Sequence, residues 1–271
     1  MGALALLGGA FRTMTEIILR NRRLLASITR VELAKRHAGS MLGMAWVVLQ
    51  PGLLLSVYLF VYMVVFPNRM PNFRQFDFVI YVFCGLVPYL GFMEALTTGG
   101  LSIKQNIHLV KNVMLPIELI PVRAVLVGMA SQFVSIGLLL VLAASDGILS
   151  WHVIWLPAIV LLQMMWLIGL TWILSSVTVA LPDITYFVNL FVFLLMFVSP
   201  IGYRPEELTA FRWVIGLNPI FYLTAVYRGI ILAKQPLSIS VVVVYAVMCV
   251  TTFAIGGAFF ERFKGVLADY E

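Results

Sequence analysis

Long apolar stretches are the feature that most constrains this chain. Stretches of about 20 residues recur along it, and about 20 residues is the length with which a helix crosses a hydrocarbon core of roughly 30 Å. Only 11% of the residues are charged, against roughly 25% in a water-soluble domain. Runs such as 138–144 and 241–250 do not alternate in polarity as the strands of a membrane barrel do. The sequence therefore predicts an all-α integral membrane protein.

Six membrane-spanning helices are predicted in one domain over residues 1–271. The predicted spans cover residues 46–66, 78–102, 122–144, 153–180, a fifth beginning at 185–198, and 237–260. Residues 199–235 mix charges with apolar pieces too short to cross, which is typical of a re-entrant or interfacial segment before the last span. The predicted parts are an entry region at 1–45, the six-helix membrane domain at 46–261 and a cytoplasmic tail at 262–271.

The N-terminal region predicts an amphipathic helix that lies along the membrane surface. Apolar residues recur at helical spacing through residues 13–36, with arginine and lysine between them. Thr13 and Glu16 fit a capping box, which predicts that the helix begins there. Residues 1–10 have neither the basic start nor the cleavage site of a signal peptide, so we expect the N-terminus to be retained.

The distribution of basic residues predicts the orientation. An even number of spans puts both termini on one side, and that side would hold the basic N-terminal helix with Lys104, Lys111, Arg123, Arg262 and Lys264. Because cytoplasmic loops carry the excess of lysine and arginine, both termini are predicted to be cytoplasmic in a multi-pass protein of the cytoplasmic membrane. Four basic residues would lie on the opposite side: Arg204, Arg212, Arg228 and Lys234. All four belong to the long segment 199–235, and long loops translocate largely regardless of charge, so they do not change the prediction.

Motifs for catalysis are missing from the sequence. There is no Gly-x-x-x-x-Gly-Lys-Ser/Thr loop, so any ATP that drives this protein is predicted to bind another chain. No nucleophile elbow or His-Glu-x-x-His pair is present, and neither an enzyme nor a metal site is expected. The positions of the basic residues are explained by the membrane topology, so the net positive charge does not predict a nucleic-acid partner. Glu94 is the main ionisable residue within a span; it could pair across the bundle, face a polar cavity or reach towards water.

Three groups of short motifs occur in a fixed order along most of the chain. They are Arg-His-Ala-Gly-Ser-Met-Leu-Gly at 36–43 with Trp46 and Leu-Gln-Pro at 49–51; Gly-Leu-Val-Pro-Tyr at 85–89 with Leu-Pro-Ile-Glu at 115–118; and Ser-Pro-Ile at 199–201 with Leu-Asn-Pro-Ile at 217–220 and Tyr-Arg-Gly-Ile-Ile at 227–231. Together they resemble the ABC-2 type permeases of polysaccharide-exporting ABC transporters. His37 stands where that family commonly has tyrosine, and Leu-Pro-Asp at 181–183 stands where it often has Arg-Asp.

The resemblance implies a transport subunit that works with other chains. Such permeases act as two copies with two ATPase subunits, which bind the ATP and Mg²⁺, and they export a lipid-linked polysaccharide. We expect O-antigen as the cargo and no cofactor on this chain. The alternatives are an ABC-2 permease for teichoic acid, capsule, a drug or a lipid, and, in another class, a membrane scaffold or enzyme without a transport role.

The resemblance also implies a coupling helix over about residues 102–113. Three apolar residues, Ile103, Ile107 and Val110, would sit in a groove on the ATPase, while Lys104 and Lys111 would fix the register. A solvated loop is the alternative for this segment.

Three further groups of residues are candidates for handling the substrate. Aromatic rings that could line the channel are Tyr58, Tyr62, Tyr81, Tyr89, Phe92, Phe191 and Phe197; the alternatives are packing in the core and contact with lipid. A cytoplasmic entrance for the lipid diphosphate is predicted at Arg30, Lys35 and Arg36, or a surface for anionic lipid headgroups at the same residues. An outer gate is predicted at Arg204, Glu206 and Glu207.

Overall fold

Helices form almost all of the described chain. The structure is a computed structural model that describes residues 3–36, 39–65, 74–106, 115–204, 212–233 and 235–269. The helices are α1 Ala3–Arg20, α2 Arg22–Arg36, α3 Trp46–Phe60, α4 Gln75–Gly100, α5 Ser102–Gln105, α6 Leu119–Ser145, α7 Leu156–Ala180, α8 Ile184–Val198, α9 Arg212–Leu217, α10 Pro219–Ile231 and α11 Ile239–Asp269. The predicted all-α fold class is confirmed.

Five helices among the described residues are long and apolar enough to cross a membrane. They cover Trp46–Val65, Phe76–Gly100, Leu119–Ser145, Trp151–Ala180 and Ile239–Gly265. Each coincides with a predicted span to within a few residues at either end. The fifth predicted span corresponds to α8, which is apolar but has only 15 residues. At a rise of about 1.5 Å per residue, it is too short to cross a full bilayer alone.

Helix α4 lies at the centre of the bundle and is the most deeply buried of the spanning helices. It contacts α6, α7, α8 and α10. Its sequence is apolar around the whole circumference, with a buried run from Asp77 to Tyr89, and a helix that is apolar on every side is suited to burial between others.

Helices α7 and α11 pack at backbone contact. A Cβ atom added to Gly256 would lie 2.2 Å from the carbonyl oxygen of Gly169, and one added to Gly169 would lie 2.4 Å from the carbonyl oxygen of Thr252. Small residues let membrane helices approach closely enough for dispersion forces to hold them together. Beside this seam, the rings of Trp172 and Phe253 lie 5.0 Å apart.

The N-terminal region forms two helices, and the predicted capping box is wrong. Thr13 lies inside α1, where its hydroxyl donates to the carbonyl of Gly9, and Glu16 accepts from Arg12 at 2.8 Å. The apolar residues before Thr13 continue the helical pattern, so the helix starts ten residues earlier, at Ala3. Helix α1 packs on α11 through fully buried Met14, while α2 packs on α6.

Helix α10 connects the end of α8 with the turn that follows α6. Asn218 caps its start by accepting from the Ile220 amide and also donates to the Ser199 hydroxyl at 3.0 Å. At its other end, Leu232 pairs with Leu149, and the Ser150 amide donates to the Ile231 carbonyl at 2.8 Å. The tight turn between α6 and this bridge contains Gly147, whose φ of 68° favours glycine.

Candidate functional site

Two cavities have charged and polar side chains in their walls, and Arg36, the last residue of α2, lines both. The first, of about 370 Å³, lies between α3, α4 and α6, and the second, of about 300 Å³, lies between α2, α5 and α6. We call the first the Glu94 cavity; its polar lining is Arg36, Gln50, Glu94, Thr97, Ser131, Gln132 and Ser135. We call the second the Arg123 cavity; its polar lining is Glu32, Lys35, Arg36, Thr98, Ser102, Gln105, Asn106 and Arg123.

Glu94 combines two of the roles left open by the sequence. Its carboxylate accepts a hydrogen bond from Arg36 and forms an ion pair with it. It also lines the Glu94 cavity. The ion pair therefore ties the end of α2 to α4 at the cavity wall, and it neutralises a carboxylate that would be costly within an apolar span.

The Arg123 cavity contains a buried guanidinium. Arg123, near the start of α6, has a side chain only 6% exposed, and its Nη1 lies 3.6 Å from the Glu32 carboxylate on α2. That distance is compatible with an ion pair but too long for a hydrogen bond. Lys35 and Arg36 line the same cavity, so three basic side chains face a single acidic one in its wall.

A buried polar network joins four helices behind the Glu94 cavity. Gln132 on α6 donates to Gln163 on α7 at 2.8 Å, and the Tyr227 hydroxyl on α10 donates to the same Gln163 oxygen at 2.6 Å. Gln163 also donates to the carbonyl of Pro88 on α4 at 3.0 Å. A Cβ on Gly91 would lie 1.7 Å from the Gln132 side chain, so the close approach requires glycine there. The network fixes α10 against the centre of the bundle.

A second buried cation holds the C-terminal half of α10. Arg228 is 4% exposed and donates to the carbonyl of Ile201 at 2.7 Å and to that of Tyr81 at 3.3 Å. Its guanidinium also lies 3.7 Å from the centre of the Tyr81 ring, a cation–π arrangement. Arg228 therefore joins α4, α10 and the segment after α8.

Of the predicted coupling residues, the structure describes Ile103 and Lys104. Ile103 is fully buried in the core of this chain, whereas Lys104 is exposed. Ile107, Val110 and Lys111 lie outside the described residues. After the gap, Glu118 is anchored by an ion pair with Lys264 at 3.0 Å and by a hydrogen bond from the Trp172 indole to its carbonyl.

Six of the seven predicted channel aromatics have described side chains, and these differ in burial. Tyr81, Tyr89 and Phe92 on α4 are buried; Tyr89 donates to the carbonyl of Val192, and Phe92 stacks on Trp166 with centroids 5.1 Å apart. The remaining candidates differ in exposure: Phe191 and Phe197 on α8 are more than 60% exposed, Tyr58 on α3 is half-buried, and Tyr62 lies in the π-helical turn Val61–Val65, with its side chain outside the description.

The entrance and gate candidates lie at separate places. Arg30, Lys35 and Arg36 are all exposed on α2, and the last two line the Arg123 cavity. Arg204 is half-buried, while Glu206 and Glu207 lie outside the described residues. Beside Arg204, the Tyr203 phenol donates to the carbonyl of Val198 at 2.6 Å.

Sequence reasoning missed the network glutamines and the roles of Arg123 and Arg228. The available signal was polarity within apolar stretches, since Gln132, Gln163 and Arg228 each interrupt an otherwise apolar helix. In the sequence, Arg123 and Arg228 inform the topology, and Arg228 also lies in the Tyr-Arg-Gly-Ile-Ile motif at 227–231. Among the described residues, no group of three or more histidine, cysteine, aspartate or glutamate side chains could hold a metal ion.

Comparison with known proteins gives one consistent result. Residues 23–232 match the family described as ABC-2 type transporter. The chain is 32% identical over 213 residues to the O-antigen export system permease protein RfbA of Myxococcus xanthus, an alignment that covers 77% of this chain and 80% of the relative. Two proteins of the same name from Klebsiella pneumoniae are 27% and 26% identical, over 76% of this chain and 79% and 78% of their own lengths.

Proposed function

Because the chain belongs to the ABC-2 type transporter family, we propose that it is the transmembrane permease subunit of an ABC transporter that exports O-antigen. The observation that carries this proposal is the similarity to O-antigen export permeases over about three quarters of the chain. The cargo is a lipid-linked polysaccharide, and the membrane crossed is the cytoplasmic one.

Energy comes from a separate ATPase subunit. This chain has no phosphate-binding loop, so ATP and Mg²⁺ bind the partner. The assembly contains two ATPase subunits and two copies of this chain. Lys104, Lys111 and the apolar residues Ile107 and Val110 contact the ATPase, while buried Ile103 anchors the segment to the bundle.

The membrane topology has six spans with both termini in the cytoplasm. The five long helices supply five of these spans. The remaining span, the fifth along the chain, is α8 together with the segment that follows it. Helices α9 and α10 form the re-entrant segment before the last span. The position of α10, which runs from Ser199 at the end of α8 to the turn after α6, supports this arrangement.

The second copy packs against α3 and α8. Within this chain, α8 buries only Val192, and α3 only Pro51 and Leu55. Phe191 and Phe197 on α8, Tyr58 on α3 and Tyr62 in the turn that follows α3 line the channel between the copies. Tyr81, Tyr89 and Phe92 hold α4 in place behind that surface, since they are buried here.

The substrate enters on the cytoplasmic side and leaves at the re-entrant segment. Arg30, Lys35 and Arg36 on α2 receive the charged end of the lipid carrier, because guanidinium and ammonium groups suit phosphate oxygens. Arg204, Glu206 and Glu207 stand at the outer gate.

Deletion of the gene in its host, followed by complementation, tests the function. O-antigen is measured with an antibody on intact cells and again on permeabilised cells, so that synthesis and export are separated. The expected result is loss of the surface signal with accumulation inside the cell, and rescue by the wild-type gene. Unchanged surface O-antigen would overturn the proposal that this chain exports O-antigen.

A further inference from the structure

The structure assigns a phosphate-binding site to the Arg123 cavity, with the buried Arg123 guanidinium as its centre. Arg123 is 5% exposed, and its Nε atom, itself buried, has no hydrogen-bond partner among the described residues. Its paired carboxylate, Glu32, is 39% exposed and 3.6 Å from the nearer nitrogen. A guanidinium stays charged and offers five N–H donors, and here the Nε–H donor is left unsatisfied in a residue that lines the cavity.

The charge of the wall favours an anion. Among the described residues that line the cavity, Arg123, Lys35 and Arg36 are basic and Glu32 is the one carboxylate. Arg36 is already paired with Glu94 at the neighbouring cavity. Removing a guanidinium from water is costly unless charge and hydrogen bonds compensate it, and one half-exposed carboxylate at ion-pair distance compensates little. An anionic ligand on Arg123 and Lys35 completes the site.

The size and remaining lining fit a phosphate group. A volume of about 300 Å³ is at the lower end of ligand pockets, which span roughly 300–1,000 Å³. Gln105 and Asn106 supply two amides from the segment after α4, while the Ser102 hydroxyl in the same wall already donates to the Gly99 carbonyl. Phosphate oxygens accept paired hydrogen bonds from a guanidinium fork and further bonds from neutral donors, whereas a neutral sugar would leave the positive charge uncompensated.

The Arg123 cavity lies where a bound phosphate could contact two segments that are proposed to act in transport. Its wall is made by α2, by α5 and Asn106, and by the start of α6. Helix α5 opens the segment proposed to contact the ATPase, so a phosphate bound here touches both the entrance helix and that segment. The phosphate belongs either to the diphosphate of the lipid carrier or to a phospholipid headgroup. The first source rests on the proposed function; the second does not.

Binding to the purified full-length chain tests the site. Inorganic pyrophosphate is titrated in nanodiscs of phosphatidylcholine, and the thermal unfolding midpoint and affinity are measured for wild type and Arg123→Gln. Loss of hydrogen bonds to a charged group should weaken pyrophosphate about tenfold or more. Arg12→Gln is the matched control, because Arg12 is exposed and pairs only locally with Glu16. Equal affinity in wild type and Arg123→Gln overturns the site.

A second variant tests the site even if Arg123→Gln does not fold. Glu32→Gln removes the competing carboxylate at the cavity wall. A phosphate site predicts several-fold tighter pyrophosphate binding in Glu32→Gln, because Arg123 and Lys35 then face the ligand alone. If Arg123 and Glu32 form a structural pair only, the variant loses stability without gaining affinity, and the inference fails.

Two further arms identify the source of the phosphate. In one, a prenyl diphosphate replaces pyrophosphate; in the other, phosphatidylglycerol is added to the nanodiscs. Arg123-dependent stabilisation by the prenyl diphosphate identifies the lipid carrier, and stabilisation by phosphatidylglycerol alone identifies a headgroup. The test is separable from that of the proposed function, since pyrophosphate binding that depends on Arg123 stands even if gene deletion leaves surface O-antigen unchanged.

Discussion

The backbone contact between α7 and α11 makes Gly256→Ala a sharp test of the packing. The added Cβ would lie 2.2 Å from the Gly169 oxygen and 2.7 Å from its carbonyl carbon, whereas non-bonded carbon atoms relax at about 3.5 Å. The helices must therefore separate by about 1 Å. No side-chain rotation relieves the clash, because the opposing atoms are backbone.

Two opposing effects determine the change in the free energy of unfolding caused by Gly256→Ala. Overpacking costs about 1–3 kcal/mol, and a rigid backbone contact lies at the upper end of that range. Alanine regains up to about 1 kcal/mol of helix propensity over glycine. We expect a net destabilisation of about 2 kcal/mol, or roughly 4–8 °C in the unfolding midpoint of a chain of about this size.

Heating in detergent followed by fluorescence-detected size exclusion measures this effect, with equal heating times for each variant. Gly137→Ala is the control, because Gly137 is helical, exposed and has nothing within 4 Å of an added Cβ; it should match or exceed wild type. Gly169→Ala should resemble Gly256→Ala, and the double variant should cost less than their sum, since both substitutions open one seam. A Gly256→Ala midpoint at or above that of Gly137→Ala would refute the reasoning.

Two further predictions concern the attachment of α10. Gln163→Leu removes four hydrogen bonds: two with Gln132, one from the Tyr227 hydroxyl and one to the Pro88 carbonyl. At about 0.6 kcal/mol per membrane hydrogen bond, the variant should lose about 2 kcal/mol of stability. Tyr227→Phe should cost less, and equal unfolding midpoints for both variants and wild type would contradict this. Arg228→Lys should lower both the unfolding midpoint and the surface O-antigen signal. An ammonium group lacks the planar fork with which the guanidinium reaches the Ile201 and Tyr81 carbonyls. An unchanged unfolding midpoint would argue against a role of Arg228 in holding α10.

Hydropathy predicted the spanning helices because the apolar length of each span can be determined from the local sequence alone. Residues 46–66 and 122–144 were predicted from apolar length alone, and the structure places helices at Trp46–Val65 and Leu119–Ser145. The same reasoning failed at the N-terminus. Thr13 and Glu16 satisfy a four-residue pattern, but the apolar residues before them pack α1 on α11, and this packing outweighs the local capping signal.

Side-chain positions around a bundle depend on the rotation of each helix, which hydropathy does not determine. Helix α4 is apolar on all sides, so its sequence gives no preferred direction for Tyr81, Tyr89 or Phe92, and burial of these rings became visible only once its neighbours were placed. Polar residues carry more directional information, because in lipid each must meet a partner. Gln132 and Gln163, whose donors and acceptors match, could have been predicted to bond each other across α6 and α7. For this class of protein, pairing the few polar residues within apolar helices is therefore the step that takes sequence reasoning from span prediction to helix orientation.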